Sequence, residues 1–203
     1  MKNMILLTCV LIFMIGTVFG QIITVKSGGD TIASGLNISG DTTVCNSGSI
    51  SFTVTFDLGI DHVQWVSNPA GQTFTPSSTN VTVTVTPTVN SSYYVYVYGP
   101  GPTNYVGYIR INVIVASLPA VQTVTANGIA STNGVYCTGE AGVIFGLQGS
   151  EIGCNYQMQW DGTSIDIGSA VIGTGTAIVF DPVTAGDYQI LVTNLSGCQR
   201  IIR

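Results

Sequence analysis

This chain has few residues that are capable of acid–base catalysis, and they are widely separated in the sequence. Histidine occurs once, at position 62, and Asp, Glu, Lys and Arg together make up only 7% of the chain. An acyl-transfer site would have to combine His62 with a serine, with Asp57 or Asp61 orienting the imidazole ring. His62 begins a predicted strand, where a lone polar side chain is ordinarily solvated. We therefore predict that the protein is not an enzyme and needs no cofactor.

The acidic residues and cysteines also lack the spacing of metal-binding motifs. The carboxylates on predicted loops are Asp57, Asp61, Glu140, Glu151, Asp181 and Asp187. They lie on separate loops, so a pair meeting at one end of a domain would suit Ca²⁺, but no ligand-loop spacing occurs. There is no Cys-x-x-Cys pair to combine with the single histidine in a zinc site. We predict no metal site.

The cysteines are better suited to disulfide bonds. Beyond the N-terminal region they are Cys45, Cys137, Cys154 and Cys198. We place Cys137 just before one strand and Cys198 just after another, at the same end of a C-terminal domain, and predict a Cys137–Cys198 disulfide. Cys45 and Cys154 are then free, bonded to each other or bonded between chains, and their spacing does not choose among these.

A pattern that occurs twice indicates which elements position these residues. Residues 81–98 and residues 177–193 each contain an alternating apolar strand, a proline turn, a tyrosine and a second alternating strand. When the two prolines are aligned, Tyr93 falls on Tyr188 without a gap. In immunoglobulin-like sandwiches a tyrosine here hydrogen-bonds back to the backbone of the corner. Two corners predict an all-β chain with two tandem immunoglobulin-like β-sandwich domains.

The pattern divides the chain into four segments. They are a signal peptide (1–20), an N-terminal lead-in (21–39), domain 1 (40–118) and domain 2 (119–203). Trp65 and Tyr93 are the predicted structural core residues of domain 1, and Tyr188 is that of domain 2. The last predicted strand of domain 2 is much shorter than that of domain 1. We therefore expect a complementing strand, or a longer polypeptide, to complete domain 2.

The first 20 residues are typical of a secretory signal peptide. Lys2 precedes an apolar run at residues 4–15, and Val18 and Gly20 occupy the −3 and −1 positions of a cleavage site. A membrane anchor is the alternative, but the run is shorter than the ~20 residues of a membrane span. A lipoprotein would use Cys9, which follows a threonine and too little apolar sequence. We predict a secreted or cell-surface protein whose mature chain has no membrane span.

The charge of the protein excludes one class of partner. The formal net charge is −5, and the cations after Lys26 are Arg110, Arg200 and Arg203. A nucleic-acid interface needs clustered cations to neutralise phosphates, so we predict no nucleic-acid binding.

One face of domain 1 is a candidate ligand face. If Tyr93 points into the core, strand alternation turns Tyr94, Tyr96 and Tyr98 outward. The next strand presents Tyr108 and Arg110 beside them. Tyrosines flanked by a guanidinium can stack on a glycan or anchor a protein partner. The alternative is that these aromatic residues only pair across strands for stability.

Both domains also carry longer motifs. In domain 2 these are Tyr136-Cys-Thr-Gly, Gly149-Ser, Tyr156-Gln-Met, Gly173-Thr-Gly and Gly197-Cys, and in domain 1 Ile38-Ser-Gly-Asp and Val63-x-Trp65. This pattern resembles the Ig-like and PKD-like repeats of long cell-surface adhesins of Bacteroidetes-type bacteria, some of them gliding-associated and exported by the type IX route. The resemblance implies a non-catalytic structural or adhesive module with neighbouring Ig-like repeats. Glycan binding and strand-exchange polymerisation are the alternative functions.

Overall fold

The fold is described here from a computed structural model, which covers residues 23–56, 59–101 and 104–203. The predicted signal peptide lies outside these residues. The described part of the chain forms sixteen β-strands and no helix. Consequently, none of the described residues belongs to a helix that is long and apolar enough to cross a membrane.

The first eight strands form the sandwich of domain 1. They are β1 (Ile23–Ser27), β2 (Asp30–Ser34), β3 (Ile38–Cys45), β4 (Ile50–Phe56), β5 (His62–Asn68), β6 (Thr82–Val85), β7 (Ser91–Tyr98) and β8 (Tyr105–Ala116). One sheet has the strand order β2-β1-β4-β6 and the other has the order β3-β8-β7-β5. The apolar faces of the two sheets enclose one core.

The remaining strands form the sandwich of domain 2. They are β9 (Val124–Ala126), β10 (Ile129–Ala130), β11 (Phe145–Leu147), β12 (Asn155–Trp160), β13 (Asp166–Ile172), β14 (Ile178–Val179), β15 (Tyr188–Thr193) and β16 (Gln199–Ile202). Their sheets have the orders β10-β9-β11-β14 and β13-β12-β15-β16. A separate core lies between them.

The core of domain 1 is built around aromatic residues from both sheets. Strand alternation turns Phe52 of β4, Trp65 of β5 and Tyr93 of β7 inward, and each is at most 1% exposed. The rings of Phe52 and Trp65 stack with their centroids 5.8 Å apart. The indole N–H of Trp65 donates a hydrogen bond to the carbonyl oxygen of Asn80 at 3.0 Å, so its one polar group is satisfied.

The segment that we predicted as a lead-in is part of this sandwich. Ile23 and Val25 are fully buried, and β1 pairs with β4 in an antiparallel ladder. The interpretation of residues 21–39 as a lead-in is therefore wrong for the described residues. Two alternating apolar residues suffice for a core strand when other strands flank it on both sides, as β2 and β4 flank β1.

The strand β3 runs parallel to β8. The register begins with Ile38 opposite Ile109 and ends with Cys45 opposite Ala116. Since a parallel pair ends at the same edge of a sheet, Cys45 lies beside the last residue of β8. This places Cys45 at the end of domain 1 from which the linker to domain 2 departs.

The two aligned tyrosines make different contacts. The Tyr188 hydroxyl donates to the carbonyl oxygen of Thr184 at 2.9 Å, as the corner pattern predicts for the second copy. The Tyr93 hydroxyl instead donates to the side-chain oxygen of Gln72. Tyr188 is half-buried and packs beside Trp160, with 4.9 Å between ring centroids.

We predict that Trp65→Ala lowers the free energy of unfolding of domain 1 by about 3–5 kcal/mol, because it removes the central ring of a closed core. Trp160→Ala is the control, since Trp160 is 39% exposed and its removal leaves a smaller cavity. Urea denaturation measures both. An emission maximum typical of water-exposed indole from Trp65, recorded in a Trp160→Phe background, would contradict this burial.

Candidate functional site

The joint between the domains is closed by a disulfide bond. Cys45, at the end of β3, is bonded to Cys198, in the turn between β15 and β16, with their Cα atoms 5.6 Å apart. The two cysteines are separated by 153 positions in sequence. On the chain-entropy estimate, closing a loop of this length stabilises the protein against complete unfolding by about 5 kcal/mol.

Two hydrogen bonds attach the linker itself to domain 2. The side-chain amide of Asn194 donates to the carbonyl oxygen of Ser117 at 2.8 Å. The backbone N–H of Ala120 donates to the carboxylate of Glu151. Pro119, between these anchor points, is buried and has a fixed φ angle. The linker is therefore held at both of its ends.

The predicted Cys137–Cys198 disulfide is wrong, because these cysteines lie at opposite ends of domain 2. Cys137 is free and exposed. Cys137 comes before β11 as Cys45 comes before β4. The backbone carbonyl oxygen of each cysteine accepts a hydrogen bond from the N–H of the residue three positions later. Cys198 lies in the turn after β15, which points toward domain 1. The prediction placed these two strand ends on the same side of the sandwich.

Cys154 is a buried thiol in the core of domain 2. It is 3% exposed and donates a weak hydrogen bond to Glu151, with 3.6 Å between sulfur and oxygen. Burial, followed by the negative charge and hydrogen bonding of Glu151, raises the pKa of the Cys154 thiol. The thiol is thus held in its protonated, poorly nucleophilic form.

A continuous row of aromatic rings covers the outer face of β7 and β8, and we call it the tyrosine face. Its members are Tyr94, Tyr96, Tyr98, Tyr105, Tyr108 and Arg110. Tyr96 is its centre, with ring centroids 6.2 Å from Tyr94 and 6.0 Å from Tyr108. The Arg110 guanidinium lies 5.9 Å from the centroid of the Tyr94 ring, within cation–π distance. The structure therefore brings all five residues of the predicted ligand face together.

The tyrosine face ends in a polar cluster. The Arg110 guanidinium donates to the hydroxyl of Ser92 at 3.1 Å. Ser92 in turn donates to Asn112, whose amide nitrogen donates to Asp41 at 2.7 Å. These hydrogen bonds hold the Arg110 guanidinium beside the Tyr94 ring, and one positive and one negative side chain lie at this end of the face.

Two aromatic residues of this face were missed by the sequence analysis. Strict alternation would turn Tyr105 inward with Ile109, but an irregularity between Val97 and Tyr98 shifts the register and places Tyr105 opposite Tyr98. Tyr105 is 50% exposed, with its ring 6.2 Å from that of Tyr96. Partial removal from water, followed by the neighbouring tyrosines, raises the pKa of the Tyr105 hydroxyl above its ordinary value.

The second missed residue is His62, which extends the face across β5. Its imidazole stacks on Tyr98 with 4.7 Å between centroids and 7° between planes. The alternation of His62 with the buried Val63 and Trp65 was the signal that could have shown this.

The same histidine was the only candidate for acid–base catalysis. Its Nδ1 atom lies 2.9 Å from the carboxylate of Asp61, and both side chains are largely exposed. Among the described residues, no hydroxyl or thiol group hydrogen-bonds to the imidazole. Asp57, the other predicted partner, lies outside the described residues. The pair thus lacks a positioned nucleophile within the described ranges, and the absence of enzymatic activity stays a prediction.

The acidic loop residues do not converge either. In the ranges that the structure covers, no group of three or more His, Cys, Asp or Glu side chains is arranged to hold a metal ion. Glu140 and Glu151 accept hydrogen bonds from backbone N–H groups, of Cys137 and Ala120 respectively. Their role in the structure is to fix loops.

Sandwich topology, two separate cores and the corner tyrosine define the class of protein. The chain is an all-β protein of two immunoglobulin-like β-sandwich domains. No protein-family model matches its sequence, and no curated protein matches it.

Similar solved structures include murine CEACAM1b, with 12% identity over 88% of this chain and 95% of that chain and a TM-score of 0.39. A two-domain fibronectin type III segment of chicken tenascin shares 10% identity over 78% of this chain and 93% of that chain, with a TM-score of 0.28. The titin domains Z1 and Z2 in complex with telethonin share 11% identity over 89% and 92%, with a TM-score of 0.29. No function follows for this chain from likenesses at this level.

We predict that non-reducing peptide mapping of the oxidised protein recovers Cys45 linked to Cys198, with Cys137 open to alkylation in the folded state. Cys154 becomes alkylated only after denaturation, because it is buried. Recovery of a peptide that links Cys137 to Cys198 would contradict the arrangement of the domain ends.

Proposed function

We propose that this protein is a non-catalytic structural and adhesive module of a secreted or cell-surface protein, built to hold its two domains in one fixed arrangement. The observation that supports this most strongly is the disulfide across the joint. Cys45 and Cys198 link the domains at a second point, in addition to the polypeptide linker. Two connections between two bodies remove most of the hinge motion that one short linker allows.

The same bond supports a location outside the cytosol. Structural disulfides persist in oxidising compartments and are rare where thiols are kept reduced. The predicted signal peptide at residues 1–20 agrees with this. The resemblance to cell-surface adhesin repeats favours presentation at a cell surface, where neighbouring Ig-like repeats would continue the array.

A second candidate function is glycan binding by the tyrosine face. The face offers several neighbouring, partly exposed tyrosine rings, and the apolar faces of sugar rings stack on such surfaces. The positive charge of Arg110 is offset by the carboxylate of Asp41, which lies at the same end of the face. A neutral or weakly charged glycan therefore fits this surface better than a polyanion does. The alternative ligand is a protein with an apolar patch.

The fixed arrangement is testable by small-angle X-ray scattering of the wild type and of a Cys45→Ser/Cys198→Ser double variant. We expect the wild-type scattering to fit a single interdomain arrangement, and that of the double variant to require a wider distribution of interdomain distances. Cys137→Ser is the control and leaves the curve unchanged, because Cys137 is free. Identical curves for the wild type and the double variant would contradict the proposed role of the disulfide.

Glycan binding is testable on a glycan array. We expect Tyr96→Ala to abolish the binding of any glycan that the wild type retains, because Tyr96 is the centre of the face. Tyr96→Phe keeps the ring and should retain most of the binding, and Tyr136→Ala, in domain 2, should retain all of it. If Tyr96→Ala binds the same glycans with unchanged intensity, the tyrosine face is not the glycan site.

A further inference from the structure

A cleft of about 550 Å³ opens at the end of domain 1 where β5 ends and β7 begins. One of its walls comes from the loop after β5, between residues 69 and 75, and the other from β6 and the segment after it, between residues 84 and 89. Five of the ten lining residues are threonines, at positions 73, 75, 84, 86 and 88, and none of the ten is charged. The cleft is therefore rich in hydroxyl groups and has no ionic group in its walls.

Among the described residues, one backbone pair joins the two walls. The N–H of Thr75 donates to the carbonyl oxygen of Thr84 at 3.0 Å, and the N–H of Thr84 donates to that of Thr75 at 2.7 Å. The next pair in this register is Thr73 and Thr86, whose backbone groups bond to no other described residue. Because Thr86 precedes Pro87, it is held extended, and alternation directs its N–H and C=O toward the cleft, as in Thr84. The cleft thus offers main-chain donors and acceptors beside its hydroxyl groups.

A chain of hydrogen bonds through the core fixes both walls. The buried Tyr93 hydroxyl donates to the side-chain oxygen of Gln72, which belongs to the first wall. The side-chain amide of Gln72 donates to the hydroxyl of Ser91 at 2.6 Å. Ser91, which is 5% exposed, donates in turn to the carbonyl oxygen of Val89 in the second wall, at 2.7 Å. The two walls are consequently held in place before any ligand arrives, which lowers the cost of binding.

The same chain of bonds explains why the two aligned tyrosines differ. In domain 2, the Tyr188 hydroxyl donates to the carbonyl oxygen of Thr184, within its own corner. In domain 1, the Tyr93 hydroxyl reaches Gln72 instead and holds the loop after β5. The departure of Tyr93 from the corner pattern therefore occurs in the domain that has the cleft.

The hydroxyl groups of the cleft differ from those on the outer face of the β2-β1-β4-β6 sheet. On that face, hydroxyl groups bond to one another across strands, in the pairs Thr24–Ser34, Ser51–Thr84 and Thr53–Thr82. The other four threonines of the cleft make no side-chain hydrogen bond to any other described residue, and their side chains are exposed. Their hydroxyl groups are thus available to a ligand.

We propose that this cleft binds a single neutral saccharide residue, at a site separate from the tyrosine face. Each sugar hydroxyl both donates and accepts hydrogen bonds, as do the threonine hydroxyl groups that would meet it. The threonine methyl groups, together with Ala70 and Val89, supply apolar contacts for the C–H face of a sugar ring. Because the walls carry no charge, the site has no partner for the carboxylate of an acidic sugar.

Solution NMR is the method that suits such a site. One saccharide residue held in an open cleft binds weakly, with a Kd on the order of 1 mM, which does not survive the washing of a glycan array. The probes for saturation-transfer measurements are the methyl glycosides of glucose, galactose, mannose and N-acetylglucosamine, and methyl glucuronide is the charged counterpart. We expect at least one neutral probe to bind and the glucuronide to bind at least threefold more weakly. We also expect the amide resonances of Thr73 and Thr86 to shift during the titration.

Three matched variants locate the bound probe. Thr73→Val and Thr86→Val each remove one hydroxyl group and keep the size of the side chain, so each is expected to raise the Kd of the best neutral probe about threefold to tenfold. Thr31→Val is the control, since Thr31 is an exposed threonine of β2 outside the cleft, and it leaves the Kd unchanged. Urea denaturation is expected to give all three variants the stability of the wild type, which separates lost binding from lost folding.

The proposal is overturned if no neutral probe binds, if methyl glucuronide binds as tightly as the neutral probes, or if Thr86→Val and Thr31→Val have the same Kd. Loss of binding in Tyr96→Ala, with full binding in Thr73→Val and Thr86→Val, would place the probe on the tyrosine face. That result overturns the cleft and leaves glycan binding by the tyrosine face standing. Binding that Tyr96→Ala retains and the two cleft variants weaken supports the cleft, whatever the glycan array shows for the tyrosine face.

Discussion

The parallel pairing of β3 with β8 is the constraint from which the main features of this protein follow. An antiparallel β3 would carry Cys45 to the far end of domain 1, where no domain-2 residue is within reach. The parallel direction carries it to the linker, beside Ala116 and opposite the turn that holds Cys198. The same pairing closes the core of domain 1.

Much of the fold could be predicted from the sequence, because strand alternation and the repeated corner are local signals. Trp65 and Tyr93 are buried where the alternation places them, and Tyr188 makes the corner hydrogen bond. The disulfide partner of Cys198 could not be predicted in this way. It depends on the direction of β3 relative to β8, which is a non-local property that no spacing of cysteines contains.

The tyrosine face shows both the strength and the limit of alternation. Tyr94, Tyr96 and Tyr98 face outward as a period of two requires, and Tyr108 and Arg110 lie beside them. Tyr105 breaks the period, since one irregular pair opposite Tyr98 shifts the strand by a residue. Such an irregularity adds a ring to the surface without altering the core. The exact extent of a face is therefore harder to predict than its existence.

The disulfide across the joint also changes how mechanical load would travel through the molecule. Because Cys45 is covalently bonded to Cys198, the residues between them form a closed covalent loop. Tension applied to the chain on either side of this loop passes through the sulfur–sulfur bond and bypasses the linker and both sandwich interiors. Only the strands outside the loop, β1 to β3 and β16, can be peeled away. The disulfide bond thus carries the applied tension directly and protects most of both domains from extension.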